Sequence, residues 1–284
     1  MITIEAPAKI NLTIEVLGKR PDGYHEIRSV VQTVSLCDTL RFSLSQNIEI
    51  RSASSGWLAK QSIVPKAADL IKAITGCAGG VVIEVEKRIP LMAGLGGDSS
   101  DAAAVLRGLN ELWRLGLSQE KLLELASQLG SDVAFFLCGG TALMEGRGEK
   151  ITPLPSFPHH YVILVNPATP HLSGKTAAIY AKLQPFHYTD GRITGQLVAD
   201  LKSGSEFNPA RLFNTFENVV FTRGAELTTY RSHIRKIGAP HVHLAGSGPA
   251  LFTLVKDRTH AEDMAVRLKN QGMETYLVAT RDCR

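Results

Sequence analysis

The chain has few cysteines, no long apolar run and no cluster of positive charge. Its four cysteines are widely spaced and form no Cys-x-x-Cys pair, so we expect free thiols in a reducing cytoplasm rather than a disulfide framework. No apolar run reaches the length of a membrane-spanning helix. Lysine and arginine are scattered along the sequence, which argues against a nucleic-acid-binding surface.

The bulk composition is ordinary for a soluble globular protein. Hydrophobic residues make up 44% of the 284 residues, charged residues make up 20%, and the formal net charge is +4. The first residues, MITIEAPAKINL, do not follow the pattern of a signal or transit peptide. We therefore expect a cytoplasmic protein of one large or two modest domains without membrane association. We separately expect a monomer or weak homodimer that acts on a small molecule.

Hydrophobic periodicity predicts a mixture of strands and helices. Alternation over residues 1–16 predicts a half-buried strand, and Lys9 and Asn11 fall together on its polar face. The tail beyond residue 241 has the pattern strand, strand, helix, strand. The sequence therefore predicts an α+β fold.

A proline-rich stretch at residues 153–158 is the best candidate for a domain boundary. We place one domain over residues 1–154 and a second over residues 155–284.

The most informative segment is a glycine-rich loop at residues 94–98. A strand predicted over residues 81–88 leads towards the loop, and two serines open a helix predicted over residues 101–113. A glycine loop that enters a helix exposes unpaired N–H groups at the positive end of the helix dipole, and this combination binds phosphate. We therefore predict a phosphorylated ligand, although a simple tight turn is the alternative.

Two other phosphate-binding motifs do not fit the chain. The dinucleotide pattern G-x-G-x-x-G would need a third glycine at Ser99, after Gly94 and Gly96. Residues 173–176 include Gly-Lys-Thr, which matches the last three positions of the P-loop pattern G-x-x-x-x-G-K-[ST]. The first glycine of that pattern is missing, because Thr169 occupies its position. We interpret residues 173–176 as a chance match.

Three separated motifs resemble those of the GHMP small-molecule kinases, which include galactokinase, homoserine kinase and mevalonate kinase. They are PAKINL at residues 7–12, the loop at residues 94–103 and LAGSGP at residues 244–249. Two more segments, DGYH at 22–25 and GSDV at 130–133, are similar to members that phosphorylate a cytidine-diphosphate-linked polyol. The resemblance covers nearly the whole chain.

The resemblance implies a particular architecture. It implies the GHMP kinase fold, with an N-terminal nucleotide-binding domain of ribosomal-S5-like topology and a C-terminal ferredoxin-like domain. ATP would bind to residues 1–154 with magnesium, and the acceptor to residues 155–284; in some relatives the last strand returns to the first domain. No set of metal ligands is predicted.

The resemblance also implies roles for individual residues. Asp132 would be the base that takes the proton of the acceptor alcohol, and Lys9 would hold Asp132 ionised and stabilise charge. The implied acceptor contacts are Asn11, Tyr24, His25, Thr176, Tyr180, Gly246 and Ser247. The implied nucleotide contacts are Lys87, Pro90, Gly94, Leu95, Gly96, Gly97, Asp98, Ser99 and Ser100.

Two positions depart from the family pattern. Asp98 stands where the loop usually has a third glycine, and Ser62 stands where relatives often have an asparagine near adenine. Because a carboxylate beside phosphates is repulsive, we expect Asp98 to face solvent or to cap the helix that follows. Two alternatives stay open: another GHMP kinase, for homoserine or mevalonate, and an inactive GHMP-fold binding protein.

Overall fold

The computed structural model describes residues 1–169, 174–223 and 225–282. Its strands are β1 (Ile2–Asn11), β2 (Thr13–Lys19), β3 (His25–Ser45), β4 (Ile48–Arg51), β5 (Gly80–Glu86), β6 (Thr141–Gly146), β7 (Lys150–Pro153), β8 (Tyr161–Asn166), β9 (Phe213–Asn214), β10 (His243–Leu244), β11 (Leu251–Val255) and β12 (Glu274–Ala279). Its helices are α1 (Val64–Thr75), α2 (Gly97–Leu112), α3 (Gln119–Leu129), α4 (Ser131–Cys138), α5 (Lys175–Tyr180), α6 (Arg192–Ser203), α7 (Glu217–Arg223), α8 (Ala225–Lys236) and α9 (Arg258–Asn270).

The chain forms two compact units that interleave along the sequence. The first unit comprises residues 1–8, 36–91 and 96–139, and the second comprises residues 9–35, 92–95 and 140–284. Strands β1 and β3 each contribute residues to both units, so no single position in the sequence separates one unit from the other. The assignment of ATP to residues 1–154 and of the acceptor to residues 155–284 stays a prediction.

In the first unit, four helices accompany a small sheet. The end of β3 pairs antiparallel with β5, and β4 pairs parallel with β5. Helix α2 contacts α1, α3 and α4, and it meets the sheet at Gly108, where an added Cβ would stand 2.7 Å from the Phe42 ring. The sequence did not reveal α4, because residues 133–137 are all buried and a helix that is apolar all round has no periodic face.

Helix α2 begins at Gly97, four residues before the predicted start. Its N-cap is Gly96, which adopts a left-handed conformation with φ of 74°. Ser99 and Ser100 therefore lie inside the first turn, which corrects the expectation that they precede the helix. The periodic apolar pattern missed this turn because residues 97–100 are one glycine and three polar residues and so add nothing to an apolar face.

In the second unit, a four-stranded antiparallel sheet has the order β10, β11, β8, β12. The predicted order strand, strand, helix, strand in the tail is confirmed by β10, β11, α9 and β12. Helix α9 packs on β8, β11 and β12. The core of this unit includes Ile163, Val165, Phe216, Ile234, Leu244, Leu251, Met264 and Leu268.

Over residues 8–16, from the second half of β1 into β2, both faces are buried, which corrects the prediction of a half-buried strand there. Ile10 and Leu12 are fully buried, and the polar residues Thr13 and Glu15 are equally inaccessible. The reason is that α6 contacts β2. The Glu15 carboxylate accepts a hydrogen bond of 2.6 Å from the backbone N–H of Thr194, in the first turn of α6, and so acts as a cap supplied by a distant strand.

Candidate functional site

In the first unit, the N-terminus of α2 has the geometry of an anion site. The left-handed Gly96 turns the chain into the helix and, being glycine, has no side chain that could cap it. The N–H groups of the first turn lack partners within the helix and lie at the positive end of its dipole. This arrangement suits a phosphate group.

The Asp98 carboxylate is held by the start of α1. One of its oxygens accepts a hydrogen bond from Ser62 Oγ, and the other accepts one of 3.0 Å from the Ile63 N–H. Ile63 is the N-cap of α1 and makes no side-chain cap bond itself, so Asp98 serves as the missing acceptor. This corrects the expectation that Asp98 faces solvent or caps its own helix.

A buried ion-pair cluster lies against the first residue of α2. Lys87 Nζ contacts Asp38 Oδ2 and stands 2.6 Å from Asp101 Oδ2. The Lys87 side chain is 5% exposed, and both carboxylates are fully buried. A Cβ added to Gly97 would stand 3.4 Å from Lys87 Nζ.

The charges in this cluster shift one another's pKa values. Burial alone would lower the pKa of Lys87, but the charges of Asp101 and Asp38 outweigh it and raise that pKa above its ordinary value. Burial raises the pKa of the Asp101 carboxyl well above its ordinary value, although Lys87 opposes the shift. The cluster therefore keeps a protonated lysine close to the start of α2.

Two buried oxygens at the start of α2 have no hydrogen-bond partner in the described part of the chain: Ser100 Oγ and Asp101 Oδ1. Asp132 lies in the first turn of α4, after the N-cap Gly130. Pro90 lies between β5 and α2. The ligand contacts predicted for the residues of this unit stay predictions.

In the second unit, Lys9 starts a buried chain of hydrogen bonds. Lys9 Nζ donates to Asn11 Oδ1 at 2.7 Å, Asn11 Nδ2 donates to Ser29 Oγ at 2.9 Å, and Ser29 Oγ donates to the Thr13 carbonyl. Lys9 is 6% exposed and Asn11 is 7% exposed. The predicted shared face of Lys9 and Asn11 is thus observed, and each side chain orients the next.

Two glycine turns meet beside this chain of hydrogen bonds. A Cβ added to Gly94 would stand only 2.2 Å from the Ala245 carbonyl oxygen and 2.9 Å from the Gly248 nitrogen. A Cβ added to Gly246 would stand 2.9 Å from the Gly94 carbonyl oxygen and 3.4 Å from Lys9 Nζ. Both positions therefore require glycine for close backbone approach.

The same region is held by backbone bonds. The Lys9 N–H donates to the Leu95 carbonyl at 2.9 Å, and the Ala250 N–H donates to the Ala93 carbonyl at 3.1 Å. Three motifs far apart in the sequence, at residues 9–11, 93–95 and 244–250, thus form one cluster in the second unit.

Asn214 is a residue of this cluster that the sequence analysis missed. It is buried in β9, and its Nδ2 donates to the carbonyls of Leu244 at 2.9 Å and Gly246 at 2.8 Å. Asn214 therefore fixes the glycine turn on which the close approach depends. The sequence offered one signal for this residue, which is that a polar amide side chain stands among the apolar residues Phe213 and Phe216.

An aromatic group surrounds His25. The His25 and Tyr180 rings stack with centroids 4.8 Å apart and planes 24° apart, and Tyr188 approaches His25 by its edge at 6.1 Å. Phe216 meets Tyr180 edge-on at 4.9 Å. Burial, with a smaller contribution from Lys19, lowers the pKa of His25, so its imidazole is neutral at pH 7. Two of the predicted acceptor contacts, His25 and Tyr180, thus lie against each other, and the sequence did not indicate Tyr188.

Of the predicted acceptor contacts, Tyr24 and Thr176 are exposed and Ser247 is partly exposed. Tyr24 is 57% exposed, and the Arg147 guanidinium lies over its ring at 4.7 Å. The Thr176 and Ser247 hydroxyls form a hydrogen bond of 2.8 Å. Of the motif at residues 173–176, Ser173 lies outside the described residues.

Two classes of feature are absent from the described ranges. Within residues 1–169, 174–223 and 225–282, no helix combines the length and apolar character needed to cross a membrane. The same residues contain no group of three or more histidine, cysteine, aspartate or glutamate side chains that could hold a metal ion.

Comparison with known proteins identifies relatives over the full length of the chain. Residues 62–140 match the GHMP kinases N terminal domain, and residues 197–274 match the GHMP kinases C terminal domain. The 4-diphosphocytidyl-2-C-methyl-D-erythritol kinase of Dehalococcoides mccartyi is 48% identical over 99% of this chain and 98% of its own length. The kinase of the same name from Enterococcus faecalis is 40% identical over 97% of each chain.

A solved structure supports the same relationship. The crystal structure of a 4-(cytidine 5'-diphospho)-2C-methyl-D-erythritol kinase superimposes with a TM-score of 0.85 at 31% identity. The match covers 99% of this chain and 100% of that one.

Proposed function

Since this chain belongs to the GHMP kinase family, and within it to the 4-diphosphocytidyl-2-C-methyl-D-erythritol kinases, we propose how its residues carry out the reaction. Membership makes it a small-molecule kinase of isoprenoid precursor synthesis. It transfers the γ-phosphoryl group of ATP to the 2-hydroxyl of 4-diphosphocytidyl-2-C-methyl-D-erythritol. The observation that carries the residue assignment is the convergence of residues 9–11, 93–95 and 244–250 in the second unit.

The first turn of α2 supplies the phosphate-binding groups of the nucleotide site. Its backbone N–H groups suit the phosphates of ATP, and the residues at the start of the helix are those predicted from the glycine loop. We also propose that Lys87 and Pro90 contact the nucleotide at this site. Asp38 and Asp101 hold the Lys87 ammonium in place. Lys87 therefore acts through its positive charge beside Gly97 and does not move to bind the phosphates.

Magnesium fits this site as an ion held mainly by the nucleotide. Magnesium in such sites binds one or two protein oxygens together with substrate phosphates. Ser100 Oγ in the first turn of α2, for which the described residues supply no hydrogen-bond partner, is an oxygen of that kind, and Ser99 is its neighbour. When bound, the ion neutralises charge on the transferring phosphoryl group.

Asp132 acts as the general base. As the acceptor hydroxyl oxygen bonds to the γ-phosphorus, its proton passes to the Asp132 carboxylate. The bond between the γ-phosphorus and the β–γ bridging oxygen breaks, and ADP leaves. Lys9, oriented by Asn11 at 2.7 Å, stabilises the negative charge that develops.

The acceptor contacts follow from the aromatic group and the glycine turn. Tyr24 and Tyr180 offer rings for stacking on cytosine, which works for any base. The neutral His25 imidazole offers one donor and one acceptor for the base edge. The list of acceptor contacts is completed by Asn11, Thr176, Gly246 and Ser247. A location in the cytoplasm and a monomeric or weakly dimeric state also remain proposals.

An assay of ADP release with several acceptors tests this function. With ATP and magnesium, we expect turnover of 4-diphosphocytidyl-2-C-methyl-D-erythritol and none of homoserine or mevalonate. Mass spectrometry of the product should detect one added phosphoryl group. Turnover of homoserine or mevalonate alone would indicate another GHMP kinase, and ATP binding without turnover of any acceptor would indicate an inactive binding protein.

A further inference from the structure

The Asp98 carboxylate lies between the N-termini of two helices. Its own residue belongs to the first turn of α2, while its oxygens accept hydrogen bonds from Ser62 and Ile63 at the start of α1. Ser62 Oγ in turn accepts a hydrogen bond of 3.1 Å from the Val64 N–H. One side chain thus connects the first turns of α1 and α2.

The connection accounts for the two departures from the family pattern together. Ser62 and Asp98 contact each other, so each is the partner that the other needs. The Asp98 charge is met by two donors and by the positive end of the α1 dipole. A carboxylate in this phosphate-binding turn is therefore neutralised by α1 and does not have to repel the nucleotide.

We propose that Asp98 is a positioning residue for nucleotide binding. Its carboxylate ties the first turn of α2 to α1, so that the N–H groups of Gly97 and its neighbours are ordered before the phosphates arrive. The inference rests on the proposed function, because the phosphates are those of ATP. A group that is ordered in advance loses less conformational entropy on binding, which raises affinity without adding a contact to the ligand.

Replacement of Asp98 tests this role through nucleotide affinity. Asp98→Gly removes both hydrogen bonds, so the Kd and KM for ATP should rise about five- to tenfold, which corresponds to one or two lost hydrogen bonds. The kcat at saturating ATP and the KM for the acceptor should stay within about twofold of wild type, because the chemical groups are untouched.

Two milder variants keep the test informative if Asp98→Gly folds poorly. Asp98→Asn retains an oxygen that can accept from the Ile63 N–H, so it should recover part of the ATP affinity. Ser62→Ala removes one of the two bonds and should raise the ATP Kd about two- to threefold. The double variant of Ser62→Ala and Asp98→Asn should show less than additive losses, since both act on one connection.

A matched control separates positioning from stability. Asp257 caps α9 through a 2.7 Å bond from the His260 N–H, and Asp257→Gly should lower the Tm without changing ATP affinity. If Asp98→Gly lowers only the Tm, or if it tightens ATP binding at low salt, the inference is wrong. Wild-type protein that binds no ATP would overturn the proposed function itself, and the inference with it.

Discussion

The start of α2 in the first unit and the Lys9 cluster in the second unit are built by opposite means. At α2 the proposed phosphate-binding groups are backbone N–H groups, and the side chains of Asp98 and Lys87 hold buried or partly buried contacts beside them. At Lys9 the proposed functional groups are side chains, and backbone turns pack closely against them. The first arrangement depends on buried charge, and the second depends on close steric approach.

This difference also determines how each region responds to mutation. Loss of one buried charge at α2 leaves its partners uncompensated in a low-dielectric interior. Loss of a glycine in the Lys9 cluster forces backbone segments apart. Mutations in the two regions should therefore have distinguishable effects on stability and on activity.

The largest effect is expected for Asp132→Asn in the first unit. The change removes the proposed base but keeps the shape of the side chain, so kcat should fall about 10²- to 10⁴-fold. Calorimetric titration should find ATP affinity nearly unchanged. Asp69→Asn, at an exposed position of α1, is the control and should leave kcat near wild type. A kcat for Asp132→Asn close to wild type would contradict the base assignment.

A large loss of stability is expected for Lys87→Met. The change leaves the buried carboxylates of Asp38 and Asp101 without their cation, and breaking such a cluster costs about 3–5 kcal/mol of unfolding free energy. Lys121→Met is the matched control, because Lys121 pairs with Glu124 on the surface and its loss should cost less than about 1 kcal/mol. If urea denaturation gave equal losses of unfolding free energy for the two variants, the buried cluster would contribute no more to stability than a surface ion pair.

A smaller loss is expected for Gly94→Ala in the second unit. Gly94 has a φ of 86°, and the new Cβ would collide with the Ala245 carbonyl, so the cost should be about 2–4 kcal/mol from backbone strain and overpacking together. Gly116→Ala is the control: its φ is 65° and no atom lies within 4 Å of the new Cβ. It should therefore cost only about 1 kcal/mol. A Gly94→Ala variant as stable as Gly116→Ala would contradict the close approach of the two turns.

The smallest effect concerns pH. Burial and Lys19 lower the pKa of His25, so His25 is neutral at pH 7 and becomes charged only as the pH falls below its ordinary pKa of about 6.5. The acceptor KM should be constant between about pH 6.5 and 8, then rise in more acidic solution. NMR titration of the His25 ring gives the midpoint, and His25→Gln should remove this part of the pH profile. A midpoint above the ordinary value would refute the neutral role.

The sequence predicted the local parts of both regions better than the distant ones. The pairing of Lys9 with Asn11 follows from their spacing on one strand, and the body of α2 from residue 101 onward follows from its periodicity. The Ser118 cap of α3, which accepts a hydrogen bond from the Lys121 N–H, is likewise a local feature. These features depend on neighbours in the sequence, which periodicity and capping patterns report directly.

Contacts between distant segments could not be predicted in the same way. Asn214 and Tyr188 look like ordinary polar and aromatic residues until β9 and the loop before α6 come close to the glycine turn and His25. The partner of Asp98 was missed because it belongs to another helix, and the buried polar face of β2 was missed because α6 covers it. The burial and the bonding partners of such residues depend on tertiary packing, which local sequence patterns do not report.

Hydrogen–deuterium exchange with each ligand alone tests the division of roles most directly. A non-hydrolysable ATP analogue with magnesium should slow exchange at residues 97–100 of the first unit and leave residues 24–25 unchanged. The acceptor, 4-diphosphocytidyl-2-C-methyl-D-erythritol, should slow exchange at residues 24–25, 176–180 and 244–248 of the second unit. Protection of the same segments by both ligands, or protection of residues 97–100 by the acceptor alone, would contradict the account.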